Sequence, residues 1–384
     1  MLDDGPGSMN RREFLARGAL VVGAVAGANV VVNLLSGAFG SEPVLAAGKL
    51  STMRWISPRG TLAVMDDYPL HVAIHQGYFR ELGLNVDLIA GPTDATATTK
   101  FVGANRADVG YPSPAILATS IEAGIPVIGV FEMFGTQVFD FALPEESKIT
   151  KASELRGKTI AVASAGWSAI IDPMLVEVGV PPSSVHYVVA GADWGQAVAL
   201  NKADAALCWE GLRAQWLAEG LKVKFLLGSH FSRFPSNCYA GRVEDLKVPE
   251  KRELMARFLK GVVMGLAFGQ ANPRAAAQIT YGLFPALEEQ MKPQLALNSM
   301  RELQIGYDAS EIEKRGYGWF DLPHWQSYLD VLTHLGQISG HWQAGRVVTN
   351  ALVPEANRAD VARARYEAHH FKLNAEFERT SVRV

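Results

Sequence analysis

Cysteine is scarce: the 384-residue chain has two, Cys208 and Cys238. Both stand in apolar surroundings, where buried free thiols are common, and they are too few for a disulfide framework or a cysteine-rich metal site. An excess of one charge is missing as well. The formal net charge is −3 and charged residues make up 20% of the chain, so neither nucleic acid nor a membrane surface is an expected partner. Past residue 46 no apolar run is long enough to span a bilayer. The same region lacks G-x-G-x-x-G and P-loop sequences, which removes the common nucleotide sites and leaves no cofactor expected. "GWSAI" (166–170) lacks the second glycine of a nucleophile elbow, and no Asp and His follow it in a triad-like arrangement. His71 and His75 are four apart, but no glutamate follows His71 and Ala73 and Ile74 between them serve a core face. No metal site is expected there.

The N-terminus holds an export-type segment. "NRREFLARG" (10–18) precedes a Gly/Ala-diluted apolar stretch and then Val44-Leu45-Ala46. A twin-arginine pair, an apolar segment and small residues at a cleavage point are the marks of a Tat signal. Residues 1–46 are therefore expected to be a signal peptide, with an uncleaved anchor as the alternative, and the remaining chain a soluble periplasmic protein.

Beyond it, 338 residues (384 minus 46) suggest two domains. Short apolar runs alternate with helix-periodic stretches, and Gly or Pro follows most of them. Strands are expected at 53–56, in "LNVDLIAG" (84–91), in "ADVGYP" (107–112) and in "IPVIGVFEM" (125–133). Helices are expected in "DDYPLHVAIHQGYFRELG" (66–83), over 93–103 and in "SPAILATSIEAG" (113–124). The order then restarts with strands ending at Ala163, in "SVHYVVAG" and in "ADAALCWEG", around a helix broken near Pro173 and another in "DWGQAVALNK". Such alternation predicts a parallel α/β sheet. One phrase occurs twice, "ANRADVGYPSP" (104–114) and "LNKADAALCWEG" (200–211). Each copy begins the third strand of its half. Asp108 and Asp204 are expected to cap equivalent helix-to-strand turns, which moves functional interest to the residues that follow. After residue 236 the chain reads as mostly helical, and 358–379 as a charged helical tail with little core signal.

Several stretches in order carry a resemblance: "PLHVAIHQGYFRELGLNVDLI", "GANRADVGYPSPAIL", "SELRGKTIAVASAGWS", "KADAALCWEG", "FLKGVVMGLAFGQANPRAAA" and "LGQISGHWQAGRVVTNALV". Together they resemble the nitrate, sulfonate and taurine (SsuA/Thi5-like) solute-binding proteins of ABC importers, over roughly residues 49–353. The resemblance implies a type II periplasmic-binding fold, in which two α/β lobes joined by a twice-crossed hinge close over a ligand. Its crossings fall near "QVFDFALP" and "SNCYAGR". It divides the chain into a first lobe of 47–144 and 236–353, a second lobe of 145–235, and a tail of 354–384. The implied partners are a small-molecule ligand and the membrane subunits of an importer, and the implied state is a monomer. The fungal Thi5-like enzyme carries a cysteine-rich motif that this chain lacks, so that activity is not implied.

In open α/β sheets, ligands bind beyond the carboxyl ends of the strands. That rule selects Arg59 and Thr61 after the first strand, Thr93 and Asp94 after the second, and Tyr111 and Ser113 after the third. In the second half it selects Gly166, Trp167 and Ser168, then Trp194, then Trp209 and Glu210. Asp67, Tyr68 and Thr136 complete the candidate set. Arg59 offers a fork for a carboxylate or sulfonate, and "SAGWS" (164–168) a helix start suited to an anion. Tyr111, Trp167, Trp194 and Trp209 offer flat apolar walls. Glu210 and the Asp66-Asp67 pair suit a ligand with N–H or cationic groups. The expected activity is capture of a sulfonate, carboxylate or amino-heterocycle such as a pyrimidine, without chemistry; an exported enzyme or a receptor-docking sensor are the alternatives.

Overall fold

The β-rich runs of the sequence form eleven strands in two sheets in the computed structural model, which describes residues 31–32, 50–92, 94, 96–307 and 309–380. Apart from the backbone of Val31 and Val32, residues 1–46, expected to be a signal peptide, lie outside the described residues. So do Thr93 and the side chain of Glu210. The strands are β1 (Val31–Val32), β2 (Ser51–Ile56), β3 (Leu84–Ile89), β4 (Val109–Gly110), β5 (Val127–Phe134), β6 (Phe139–Pro144), β7 (Thr159–Val162), β8 (His186–Val189), β9 (Ala205–Trp209), β10 (Val223–Leu226) and β11 (Asn237–Arg242). One sheet runs β1-β3-β2-β4-β11-β5 and the other β10-β6-β9-β7-β8.

Both sheets are mixed, where uniform alternation predicted parallel ones. β2 pairs parallel with β3 and β4, and β7 with β8 and β9. β11 runs antiparallel to β4 and β5, and β6 antiparallel to β9 and β10. The cause is the path of the chain. It leaves the first sheet after β5, starts the second with β6, and returns from β10 to β11, so the strand that enters each sheet over a crossing, β6 or β11, runs against its neighbours there. The two crossing segments touch: the Ser236 hydroxyl donates to the Thr136 carbonyl at 2.7 Å and the Ser236 N–H to the Phe134 carbonyl at 3.2 Å.

Helices depart from expectation in three places. The stretch 66–83 breaks into a 3-10 turn (Met65–Asp67), a helix (Tyr68–His75) and a short turn of helix (Tyr78–Glu81), because Gly77 adopts φ +77, a left-handed conformation that ends a helix at no steric cost to glycine. The helix Ser168–Glu177 runs unbroken through Pro173. Proline removes one N–H there, and burial of Ile171, Met174 and Leu175 holds the helix together. The tail is docked rather than loose. In its helix Val361–His370, Ala364 and Ala368 are buried, Arg363 pairs with Glu81 at 2.6 Å, and Tyr78 donates to Glu367 at 2.6 Å. Alanines four apart carry little hydrophobic signal but permit close helix approach.

The long helix Pro249–Ala271 is the spine of the first core. At Gly265 a Cβ would stand 2.0 Å from the Pro69 carbonyl, and at Gly269 2.1 Å from the Tyr68 ring. Glycine is required wherever another backbone comes this near. The result seats the helix Tyr68–His75, and with it the turn Met65–Asp67, firmly against the long helix. Cys208 and Cys238 lie in different sheets, both buried, and no disulfide joins them.

A cleft walled by both sheets

β2, β4 and their counterparts β7 and β9 all end on one side, and the chain beyond those ends builds a cleft. From the first sheet come Pro58, Arg59, Asp66, Tyr111, Ser113 and Ile116; from the second, Trp167, Ile170, Leu207 and Trp209. Phe134, Val138, Phe139 and Asn237, at the two crossings, close its back. The space between them is narrow, about 60 Å³ for the centres of water-sized molecules.

Each wall has a local cause. Beyond β4 the backbone runs Tyr111-Pro112-Ser113, and the Ser113 hydroxyl accepts the Ile116 N–H at 3.5 Å to cap the helix Pro114–Glu122. Tyr111 is wedged between Trp55 and Tyr239, at ring distances of 6.2 and 5.2 Å, and the Arg59 guanidinium lies 5.9 Å above it. Beyond β9 there is no loop: Trp209 itself precedes the helix Glu210–Ala218. Its indole meets Trp167 edge-on at 5.8 Å, and Trp194 packs on both, its Nε1–H donating to the Leu207 carbonyl at 2.9 Å. Rings locked in this way form rigid flat surfaces.

The charges sit on the wall of the first sheet. Arg59 Nη2 donates to Asp67 Oδ1 at 2.5 Å, with side chains 12% and 1% exposed. Burial pushes the Asp67 carboxyl up to about 6, against the pull of Arg59. Burial also opposes the charge of Arg59, yet the Asp67 and Asp66 carboxylates together raise its pKa above the ordinary value. Asp66, 4% exposed, lines the cleft, and its Oδ2 has no hydrogen-bond partner among the described residues. A Cβ on Gly211 would lie 1.9 Å from that oxygen, so only glycine at the start of the facing helix lets the carboxylate sit where it does.

Of the candidates from sequence, Arg59, Tyr111, Ser113, Trp167 and Trp209 meet in this cleft, with Asp67 behind Arg59. The others have local partners. The Thr61 hydroxyl accepts the Ala63 N–H, the exposed Asp94 accepts from Thr96, and the Thr136 hydroxyl donates to the Gly306 carbonyl. The Ser168 hydroxyl donates to the Ala165 carbonyl, Gly166 is exposed, and Tyr68 is fully buried in the first core. Sequence reasoning passed over Asn237, Phe134, Val138 and Phe139. A search of the two crossing segments, as well as of the strand ends, would have found them. His71 is buried against Phe284, its Nδ1 3.2 Å from the Thr280 hydroxyl; no group of three or more potential metal ligands occurs among the described residues.

Comparison with known proteins follows the same outline. The NMT1/THI5 like family model matches residues 65–276. The chain belongs to that family. Within it, the chain is similar to the formylaminopyrimidine-binding protein of Halalkalibacterium halodurans, 24% identical over 294 residues, 71% of this chain and 86% of that one. It is also similar to the 4-amino-5-hydroxymethyl-2-methylpyrimidine phosphate synthase of Aspergillus parasiticus, 20% identical over 276 residues, 69% of this chain and 79% of that one. Among solved structures, the alkanesulfonate-binding protein SsuA from Xanthomonas axonopodis pv. citri, bound to MOPS, matches with a TM-score of 0.59 at 9% identity, covering 79% of this chain and 99% of that one. That likeness establishes the fold of this NMT1/THI5-like chain: a type II periplasmic-binding fold of two α/β lobes, a hinge crossed twice and a cleft between them.

Proposed function

We propose that the protein is an extracytoplasmic solute-binding protein that captures a small organic solute by lobe closure and delivers it to the membrane subunits of an ABC importer. The observation that carries this reading is the cleft itself, in which aromatic walls from both lobes face each other across the hinge. A solute touching Tyr111 and Arg59 on one side and Trp167 and Trp209 on the other binds the closed form better than the open one, and that difference is what shifts the population to closed. The proposed solutes are sulfonates, carboxylates and amino-heterocycles, and the names of the relatives include an alkanesulfonate and an aminopyrimidine. Export through a Tat signal in 1–46, a monomeric state, and lobes of 47–144 with 236–353 and of 145–235 belong to the same proposal.

The test is a thermal-shift panel of such solutes followed by recovery of each hit. A solute at about 100 times its Kd adds about 2.7 kcal/mol to the stability of the form that binds it, a clear rise in Tm, and should be recovered chemically unchanged. Trp167→Ala should weaken every hit, since it removes one wall. The relative named as a synthase supports a second reading, an exported enzyme using the same cleft. Turnover of a hit would decide for it.

A further inference from the structure

Two carboxylates and one guanidinium share the inner wall of the cleft. Arg59 and Asp67 answer each other at 2.5 Å, and Asp66, though near enough to Arg59 to help raise its pKa, forms no salt bridge with it. It is 4% exposed, and its Oδ2 is buried with no hydrogen-bond partner among the described residues. Its neighbours in the cleft are the rings and aliphatic side chains described above, together with Asn237, 8% exposed, whose Oδ1 is likewise buried and without a partner. A carboxylate oxygen withdrawn from water without a hydrogen-bond partner is costly. A ligand that brings a cationic N–H donor offsets that cost, whereas an anion in the same place adds like-charge repulsion to it.

We propose that Asp66 sets the charge of the ligand: the cleft takes a flat ring carrying a protonated amino or amidine-type group and refuses sulfonates and carboxylates. This rests on the reading of the cleft as a solute site. Arg59, whose Nη2 is engaged by Asp67 and whose Nε is buried without a hydrogen-bond partner among the described residues, then shapes the wall over Tyr111. Asp66 makes the ionic contact, Asn237 is placed to accept a second N–H, and the tryptophans of the other lobe cover the ring.

The experiment titrates the full chain at pH 7.5 with benzamidine, 4-aminopyridine, benzamide, benzoate and benzenesulfonate, by calorimetry and thermal shift, in wild type, Asp66→Asn and Asp66→Glu. The two cationic rings should bind more tightly than benzamide, and the two anions should not bind. Asp66→Asn should weaken the cations about tenfold or more, the scale of a hydrogen bond to a charged group, and leave benzamide within about twofold. Asp66→Glu should keep the preference for cations. Tighter binding of benzoate or benzenesulfonate than of benzamidine overturns the charge assignment and leaves the solute-site reading standing. An equal loss for benzamidine and benzamide in Asp66→Asn also overturns it, because Asp66 would then act through lobe closure against Gly211. Failure of every ring to bind wild type removes the solute-site reading as well. Should Asp66→Asn not fold, the wild-type order of benzamidine, benzamide and benzenesulfonate decides alone.

Discussion

The two lobes start their third strand alike and end it differently. Beyond β1 at its edge the first sheet reads β3-β2-β4-β11-β5 in spatial order and the second β8-β7-β9-β6-β10, the same arrangement with the arriving strand in the fourth place. Asn105 and Asn201 are the two non-glycine residues with positive φ among the described residues, at 59° and 55°. Three residues later the aspartates repeat one exchange. The Asp108 N–H donates to the Arg54 carbonyl and the Arg54 N–H to Asp108 Oδ2, both at 2.8 Å; the Asp204 N–H donates to the Thr159 carbonyl and the Thr159 N–H to Asp204 Oδ2, both at 2.9 Å. Each carboxylate therefore joins the third strand to the first. It does not cap a helix-to-strand turn, as its sequence context predicts. At the other end, β4 runs into a proline-pinned loop and a serine-capped helix, while β9 runs straight into a helix from Trp209. The shared end carries the fold. The divergent end carries the cleft.

Removing the carboxylates should expose a difference in strength. Asp108 also receives the Arg54 guanidinium, through Nε at 3.0 Å and Nη2 at 2.8 Å, with a side chain 22% exposed. Asp204 has only Lys158 at 3.6 Å and is 40% exposed. Charge-assisted bonds in a half-buried setting contribute more than a loose surface pair. Asp108→Ala should cost about 2–3 kcal/mol and Asp204→Ala about 1 kcal/mol by chemical denaturation. The aspartates serve different sheets, so the double variant should be additive within about 0.5 kcal/mol. A larger loss at Asp204 would break the ranking.

The turn asparagines sharpen the likeness. Asn105→Val and Asn201→Val each place a β-branched residue at positive φ, at a cost of about 1–2 kcal/mol. Asn→Gly should be close to neutral at both, since glycine adopts that conformation freely. Matched losses in the two denaturation curves support equivalence of the turns. A loss at one position alone would mean that tertiary contacts, and not φ, select asparagine there.

How much of this was legible depends on what each feature rests upon. Strand–helix alternation and the doubled phrase are local, and they located both sheets and the strand ends that carry Arg59, Tyr111, Trp167 and Trp209. Strand direction is not local. The apolar pattern of β6 or β11 is the same whichever way it runs, so the antiparallel arrivals were invisible, and the short β10 was passed over entirely. Asn237, Phe134, Val138 and Phe139 sit on those crossing segments, away from the parallel strand ends to which the ligand rule points. Trp194 does stand at a strand end, yet its indole N–H is used on the Leu207 carbonyl. The partnerless state of Asp66 Oδ2 depends on what packs around it, chiefly Gly211 from 145 residues further along the chain.

A further expected effect concerns pH and sets sheet against sheet. Beside the first sheet lies the buried pair Arg59–Asp67, and on β6 of the second Asp140 meets Arg213 at 2.5 Å, with side chains 3% and 10% exposed. Burial, opposed by the arginine, pushes Asp67 up to about 6 and Asp140 up to about 7. An acid whose folded pKa lies above its unfolded value, near 3.9 for Asp, holds its proton more tightly in the folded chain. Its stabilising contribution is full below about pH 4 and is lost as pH rises through the folded pKa. The Arg59–Asp67 pair should lose its share by about pH 6 and the Arg213–Asp140 pair by about pH 7, a fall of a few degrees in Tm across that window. Burial raises Glu132 in the same direction, to about 8, so the decline should continue past both. Glu122, held down to about 2 by the Ser339 and Trp342 donors, is ionised throughout and contributes no slope here. Scans at half-unit intervals from pH 4 to 8 should show a shallower decline up to about pH 6 in Asp67→Asn and a shallower decline up to about pH 7 in Asp140→Asn. Curves parallel to wild type in both variants would place the slope on groups other than these two pairs.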